Sequence, residues 1–216
     1  MHQDVLDFLK KHKVVAIVRG ISSTKMPDLV RAMSEGGVRC VEVTFDQSSA
    51  EKQKDTLKAI SVIRDSFAGS VCPGAGTVMT VDQVHQAYEA GAQYIISPNV
   101  NEAVIRETRK LGMVSIPGAF TPTEVAAAYE YGADIVKLFP AAILGPAYVK
   151  ALRAPLKHIP MTAVGGISPE NCAAFFEAGC CGIGCGGNLV SAKLVEEGRF
   201  DIITATAKAY CDALGL

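Results

Sequence analysis

The sequence predicts a single (β/α)8 barrel spanning residues 1–216, with one helix ahead of the first strand. Three observations predict it. Short apolar runs alternate with helical stretches along the whole chain, which calls for a parallel sheet. A phrase in which a helix closes on Glu and then Gly before an apolar strand occurs four times, about 40 to 55 residues apart, or two βα units per copy. The length, 216 residues, accommodates eight such units around one large core. An open sheet has no reason to repeat so evenly.

The first ten residues, Met1 to Lys10, read as an amphipathic helix and lack the apolar stretch and small-residue cleavage site of a secretory signal. Val14–Val18 is the first strand. Glu35-Gly36-Gly37-Val38 then leads into the second, Cys40–Thr44, and the third lies within Val71–Thr77. Glu89-Ala-Gly91-Ala92 precedes the fourth, Tyr94–Ile96, and Met113–Ile116 is the fifth. Glu130-Tyr-Gly132-Ala133 precedes the sixth, Ile135–Leu138. Met161–Val164 is the seventh, and Glu177-Ala-Gly179-Cys180 opens the Gly-rich eighth from Gly182. A glycine just past a helix end supplies the left-handed cap residue. Helices are expected over Val81–Glu89, Glu102–Lys110, Pro122–Tyr131 and Pro169–Glu177. Thr80, Thr121 and Ser168 are their N-cap candidates, with Pro122 and Pro169 at first helical positions. Closed on itself, this alternation is a TIM barrel.

Composition removes several classes of function. The chain is 49% hydrophobic and 20% charged, so it is globular. Its net charge of -1, with Lys and Arg scattered and no basic stripe carrying aromatics, gives no footprint for nucleic acid. No apolar stretch has the length of a membrane span. Seven cysteines, an odd number without a secretion signal, suggest reduced thiols in a cytoplasmic protein. Cys180, Cys181 and Cys185 contain no Cys-x-x-Cys, and strand neighbours face opposite ways, so they make a poor metal cage and serve as small core residues. Neither a metal nor a cofactor is expected.

In such barrels the chemistry sits at the carboxyl ends of the strands. There the sequence places Arg19-Gly20, Glu42 with Thr44 on the same face, Gly74-Ala-Gly-Thr77, Ser97-Pro-Asn99, Pro117-Gly118, Phe139-Pro140, Gly165-Gly166 and Gly182 to Asn188. Lys137 stands out as a lone cation in the apolar run Asp134-Ile-Val-Lys-Leu-Phe-Pro140. An ammonium there is costly unless it loses its proton or gains a partner. A neutral lysine is a nucleophile, and its usual product with a carbonyl is a Schiff base. A strand-end lysine can also simply reach for water. Glu42 is the second anomaly, an acid inside the barrel. It and Lys137 can merely neutralise one another, although such a buried pair adds little stability. Alternatively Lys137 attacks a carbonyl while Glu42 moves protons. The glycine loops after the seventh and eighth strands suit a phosphate held on backbone N–H groups, and tight turns needing positive φ are the plainer explanation. None of His2, His12, His85 and His158 falls at an expected strand end, which argues against an imidazole base.

Taken together, Ala16-Ile-Val-Arg-Gly20, Val41-Glu-Val-Thr44, Gly74-Ala-Gly-Thr-Val78, Ile96-Ser-Pro98, Ile116-Pro-Gly118, Val136-Lys-Leu-Phe-Pro140 and Gly165-Gly-Ile167 resemble the class I 2-keto-3-deoxy-6-phosphogluconate (KDPG) aldolase family, which includes 4-hydroxy-2-oxoglutarate (KHG) aldolases. The resemblance covers nearly the whole chain. It implies that Lys137 forms the Schiff base and Glu42 is the general acid/base. Thr77 would hold the substrate carboxylate, and Pro98 and Phe139 would line the pocket. Gly165, Gly166, Gly186 and Gly187 would carry a phosphate. It further implies a small 2-keto acid substrate, pyruvate as a product, no metal, and a homotrimer.

Three departures bear on the substrate. Where many phosphogluconate-type members have an arginine four residues after the glutamate, this chain has Asp46, which would repel a carboxylate. Arg19 is the candidate replacement. Val164 stands in place of a threonine, and Gly187 in place of a serine. Val164 and Arg19-Gly20 are similar to the galactonate-specific branch, whereas Thr44 is similar to the gluconate branch. Two other classes of function fit the residues less fully. One is a phosphate-binding barrel of another reaction class, such as an isomerase or phosphate synthase, and the other a non-catalytic sugar-acid binder.

Overall fold

Nine parallel strands make one sheet in the order β5-β4-β3-β2-β1-β9-β8-β7-β6. They are β1 (Val14–Val18), β2 (Cys40–Thr44), β3 (Cys72–Gly76), β4 (Tyr94–Ile96), β5 (Val114–Ile116), β6 (Gly118–Ala119), β7 (Val136–Leu138), β8 (Met161–Val164) and β9 (Gly182–Cys185). The computed structural model describes residues 2–216, so the Met1 end of the expected first helix lies outside the described residues. Nine strands replace the expected eight because the fifth is split at Pro117, which has no N–H to give a ladder. β5 pairs with β4, while β6 pairs with β7. The seam is bridged by Asp134 N–H to Ser115 O at 3.0 Å and Lys137 N–H to Pro117 O at 2.8 Å. The sheet thereby closes to a TIM-like barrel.

Around it run α1 (His2–His12), α2 (Met26–Glu35), α3 (Ala50–Ser66), α4 (Val81–Ala90), α5 (Glu102–Lys110), α6 (Pro122–Glu130), α7 (Ala141–Arg153), α8 (Cys172–Glu177), α9 (Ala192–Glu196) and α10 (Phe200–Ala213). Local chemistry starts the helices where the sequence indicates. Thr80 accepts from Gln83 N–H, and Thr121 with Glu124 forms a capping box. Ser168 is the exception. Asn171 turns its side chain back onto Ser168 N–H at 2.9 Å, and Ser168 O accepts from Asn171 and Cys172. A turn containing Pro169 therefore precedes α8, which begins at Cys172. Of the repeated glycines, Gly91, Gly132 and Gly179 are left-handed. In the first copy that role falls to Gly37, one residue later than Gly36.

The described residues form two apolar cores. The larger lies between the outer helices and the sheet, with Leu29, Met33, Ile60, Val84, Val125 and Phe175 among its buried members. The smaller fills the barrel's amino end, where Val5, Leu6 and Leu9 of α1 close over Cys40, Cys72, Tyr94, Val114 and Ile135. All seven cysteines are free thiols. Among the described residues no helix is long and apolar enough to cross a membrane.

Candidate active site

Register brings the reactive pair to one level of the barrel. Glu42 pairs with Ile17 on β1 and Gly74 on β3, and Lys137 pairs with Gly118 on β6 and Thr162 on β8. Both side chains are buried, with 2% of Glu42 and 7% of Lys137 exposed. Neither reaches into bulk water, so the solvated strand-end alternative for Lys137 fails.

Burial acts on the two groups in opposite directions. It raises the pKa of the Glu42 carboxyl, against the pull of the Lys137 and Arg19 charges. It lowers the pKa of the Lys137 amine, which the Glu42 charge opposes and the Arg19 charge assists. Each group is pushed toward its neutral form, the amine toward a nucleophile and the carboxyl toward a working range for proton transfer. Lys137 Nζ sits 4.9 Å from the centroid of the Phe139 ring. The carboxylate Oε2 of Glu42 is buried and hydrogen-bonds to no described residue. A polar atom left unpaired in such a place is available to a substrate proton or a water.

Glycine 76 explains how the acid fits. A Cβ added there would fall inside the Glu42 carboxylate, so only a glycine lets that side chain lie across β3.

Above the pair opens a mouth of about 290 Å³ at the carboxyl ends of the strands. Arg19, Glu42, Thr77, Pro98, Lys137, Phe139, Gly165, Gly166, Gly186 and Gly187 all line it. Thus every site residue singled out in the sequence borders one cavity. Ile17, Val164, Ile167 and Asn188 border it as well. Of these, Ile17, Ile167 and Asn188 were not foreseen. Asn188 carried a usable signal, an amide beside two glycines at a strand end; its Nδ2 donates to Ile167 O at 2.8 Å and ties the last two loops together.

The two glycine loops differ in kind. Gly165 and Gly166 have φ of 94° and 73°, a backbone path that favours glycine. Gly186 and Gly187 have no such path, and a Cβ at either would meet no protein atom. At 186–187 the fold itself does not require glycine. The backbone stays bare where it borders the mouth, as close approach of an anion requires.

Asp46 is engaged outside the mouth. Its carboxylate accepts from Ser48 N–H at 2.9 Å and Ser48 Oγ at 2.6 Å, and pairs with Lys52 Nζ at 3.0 Å. The Ser48 bonds, with Lys52, hold its pKa down to about 2. Asp46 does not line the mouth, and Lys52 pairs with its charge. Thr44 does not line the mouth either, although it shares a strand face with Glu42. Thr77 does, and its φ of 56° is a left-handed conformation that costs a β-branched residue roughly 1–3 kcal/mol.

Comparison with known proteins gives a consistent result. A family model described as KDPG and KHG aldolase matches residues 5–206. The chain is 37% identical over 205 residues to the 2-dehydro-3-deoxy-6-phosphogalactonate aldolase of Escherichia coli (strain K12), covering 94% of this chain and 97% of that protein. It is 35% identical to the 2-dehydro-3-deoxy-phosphogluconate aldolase of Treponema pallidum (strain Nichols), covering 98% of each. A solved native KDPGal structure superposes with a TM-score of 0.82 at 35% identity, covering 93% of each chain.

Proposed function

The chain belongs to the KDPG and KHG aldolase family and is a carbon–carbon lyase, and from that premise we propose that it cleaves a 2-keto-3-deoxy sugar acid through a Schiff base on Lys137. The single observation that carries the mechanism is a buried amine with lowered pKa facing a buried carboxyl with raised pKa, both at the floor of one mouth.

The steps follow from this geometry. The Lys137 amine adds to the C2 carbonyl, and loss of water leaves an iminium. Glu42 takes the proton of the C4 hydroxyl. The C3–C4 bond breaks, its electrons flow into the iminium, and an aldehyde departs. The remaining enamine takes a proton back at C3 from Glu42, and water releases pyruvate and restores the amine. A well-placed acid/base accounts for roughly 10²–10⁴ in rate. Arg19 and Thr77 hold the substrate carboxylate, Pro98 and Phe139 wall the pocket, and Gly165, Gly166, Gly186 and Gly187 receive the phosphate. The reaction requires no metal or cofactor. The chain works as one barrel domain, cytoplasmic and homotrimeric like the family it resembles.

The sequence pattern points first to 2-keto-3-deoxy-6-phosphogluconate and 4-hydroxy-2-oxoglutarate, giving glyceraldehyde 3-phosphate or glyoxylate with pyruvate. A specific observation favours the galactonate epimer. Of the features similar to the galactonate branch, Arg19 and Val164 line the mouth and Gly20 does not, while Thr44, the feature similar to the gluconate branch, lies outside it. Two measurements test these assignments. Borohydride reduction in the presence of pyruvate should fix the adduct on Lys137, and label on another lysine would refute the imine. Pyruvate release from both phosphorylated epimers and the unphosphorylated acid should rank the galactonate form first. Equal or greater turnover of the gluconate form would remove that preference.

A further inference from the structure

Thr77 is held in its unfavourable conformation by a hydrogen-bonded circuit that lies outside the mouth. Gln47 Nε2 donates to Thr77 O at 2.6 Å. Gln47 Oε1 accepts from Gln83 Nε2 at 3.0 Å, and Gln83 Oε1 accepts from Met79 N–H at 2.8 Å. The circuit leaves the backbone at Thr77, crosses two side-chain amides, and returns two residues further on. Gln83 is itself fixed. It is buried in the first turn of α4, and its N–H donates to the cap residue Thr80 at 3.2 Å.

Each amide uses a donor and an acceptor at once, which neither a carboxylate, an acceptor alone, nor an ammonium, a donor alone, reproduces at either position. Neither glutamine lines the mouth. Meanwhile the Thr77 N–H and hydroxyl donate to no described residue, and Thr77 does line the mouth. A left-handed, β-branched residue keeps its conformation only where the surroundings over-determine it.

We propose that Gln47 and Gln83 are positioning residues that hold the strained Thr77 so that its free donors face the substrate carboxylate. This rests on the assignment of Thr77 as carboxylate holder. The two glutamines never touch substrate. They act through the Thr77 carbonyl and the Met79 amide.

The test is a double-mutant cycle between Gln47 and Thr77, read as kcat and KM for the phosphorylated 2-keto acid and as pyruvate affinity from borohydride trapping. Gln47 is exposed, so Gln47→Leu is expected to fold, and its Tm is measured alongside. Gln47→Leu should raise KM roughly 3- to 10-fold with kcat nearly unchanged, the loss typical of one hydrogen bond. Gln47→Glu keeps the length but sets an acceptor against the Thr77 carbonyl, and should behave the same way. Gln83→Leu should give the same KM rise from the other end of the circuit. In Thr77→Ala the Gln47 change should raise KM less than it does in the parent chain, because the hydroxyl that the circuit aims is gone although the carbonyl it bonds remains. Full additivity, or a fall in kcat with KM unmoved, overturns the positioning role while leaving Thr77 in place. If Thr77→Ala itself leaves KM unchanged, the carboxylate assignment falls and the circuit has nothing to position.

Discussion

The two ends of the barrel interior are built to opposite specifications, and one strand shows both. β3 reads Cys72-Pro-Gly-Ala-Gly76. At Gly74 the missing side chain makes room for the ring of Tyr94, and at Gly76 for the carboxylate of Glu42. Below, the space is filled by an aromatic ring, two cysteines, branched aliphatics and the apolar face of α1. Above, the same device admits an acid facing a lysine. A void of about 20 Å³, room for about one water, lies beneath Lys137 and Glu42 and marks the change of character. The amino end is packed for stability. The carboxyl end holds two ionisable groups at the expense of stability, because each is buried against its preferred charge state. The lower plug supplies a rigid floor on which those groups keep their geometry.

The largest expected effect separates the two specifications outright. Lys137→Met removes the proposed nucleophile but keeps an apolar stem of similar length. Cleavage should fall by about 10⁴-fold or more, with no borohydride-trapped adduct. Tm should fall at neutral pH, because Glu42 is left buried without its countercharge, and the difference from the parent should shrink as the pH is lowered and Glu42 takes up a proton. A loss of Tm that is the same at every pH would mean that Lys137 is structural.

Gly76→Ala should come next. The added methyl occupies the place of the Glu42 carboxylate, so the acid must shift by something near 1 Å. A displacement of that size costs about 10²-fold in rate. Steady-state kinetics should show the loss in kcat, with imine trapping on Lys137 retained. Normal kcat would show that Glu42 has freedom the geometry denies it. The matching change at the amino end is Leu9→Ala, in the plug. It should cost about 2–5 kcal/mol of stability in denaturant unfolding while activity per folded molecule is retained. Lost activity in a fully folded sample would show that the two ends are not separable.

The contrast also explains what the sequence revealed. Lys137 and Glu42 were legible because a charge in an apolar strand violates the local pattern. The barrel was legible because its repeats carry capping glycines at even spacing. β3 was recognisable only by position, since Pro and two Gly are poor strand formers. Its interior is filled by Tyr94 and Glu42 from neighbouring strands, a fact that resides in register. The split of the fifth strand at Pro117 was not foreseen, and the closure across it depends on bonds from Asp134 and Lys137 on the opposite edge. The charge of Asp46 was visible in the sequence, but its partners Ser48 and Lys52 follow only from the turn after β2. Gln47 and Gln83 gave no signal, since two amides 36 residues apart become a pair only after α3 brings α4 alongside β2's loop.

The smallest effect tests whether the carboxyl end works as one electrostatic unit. The Arg19 charge lowers the pKa of both Glu42 and Lys137. The proposed mechanism needs Glu42 ionised and Lys137 deprotonated, so it puts the rising limb of kcat/KM against pH where those two groups lose protons. Removing the cation raises both pKa values. In Arg19→Leu the rising limb should therefore move to higher pH, whereas Arg19→Lys, which keeps the charge, should leave its midpoint near the parent's. Lost carboxylate binding in Arg19→Leu lowers the plateau but does not move the midpoint, so the two consequences separate in one profile. Following imine formation with pyruvate over the same pH range isolates the Lys137 part. A limb that stays in place, or moves to lower pH, would mean that the field of Arg19 does not reach the pair at the floor.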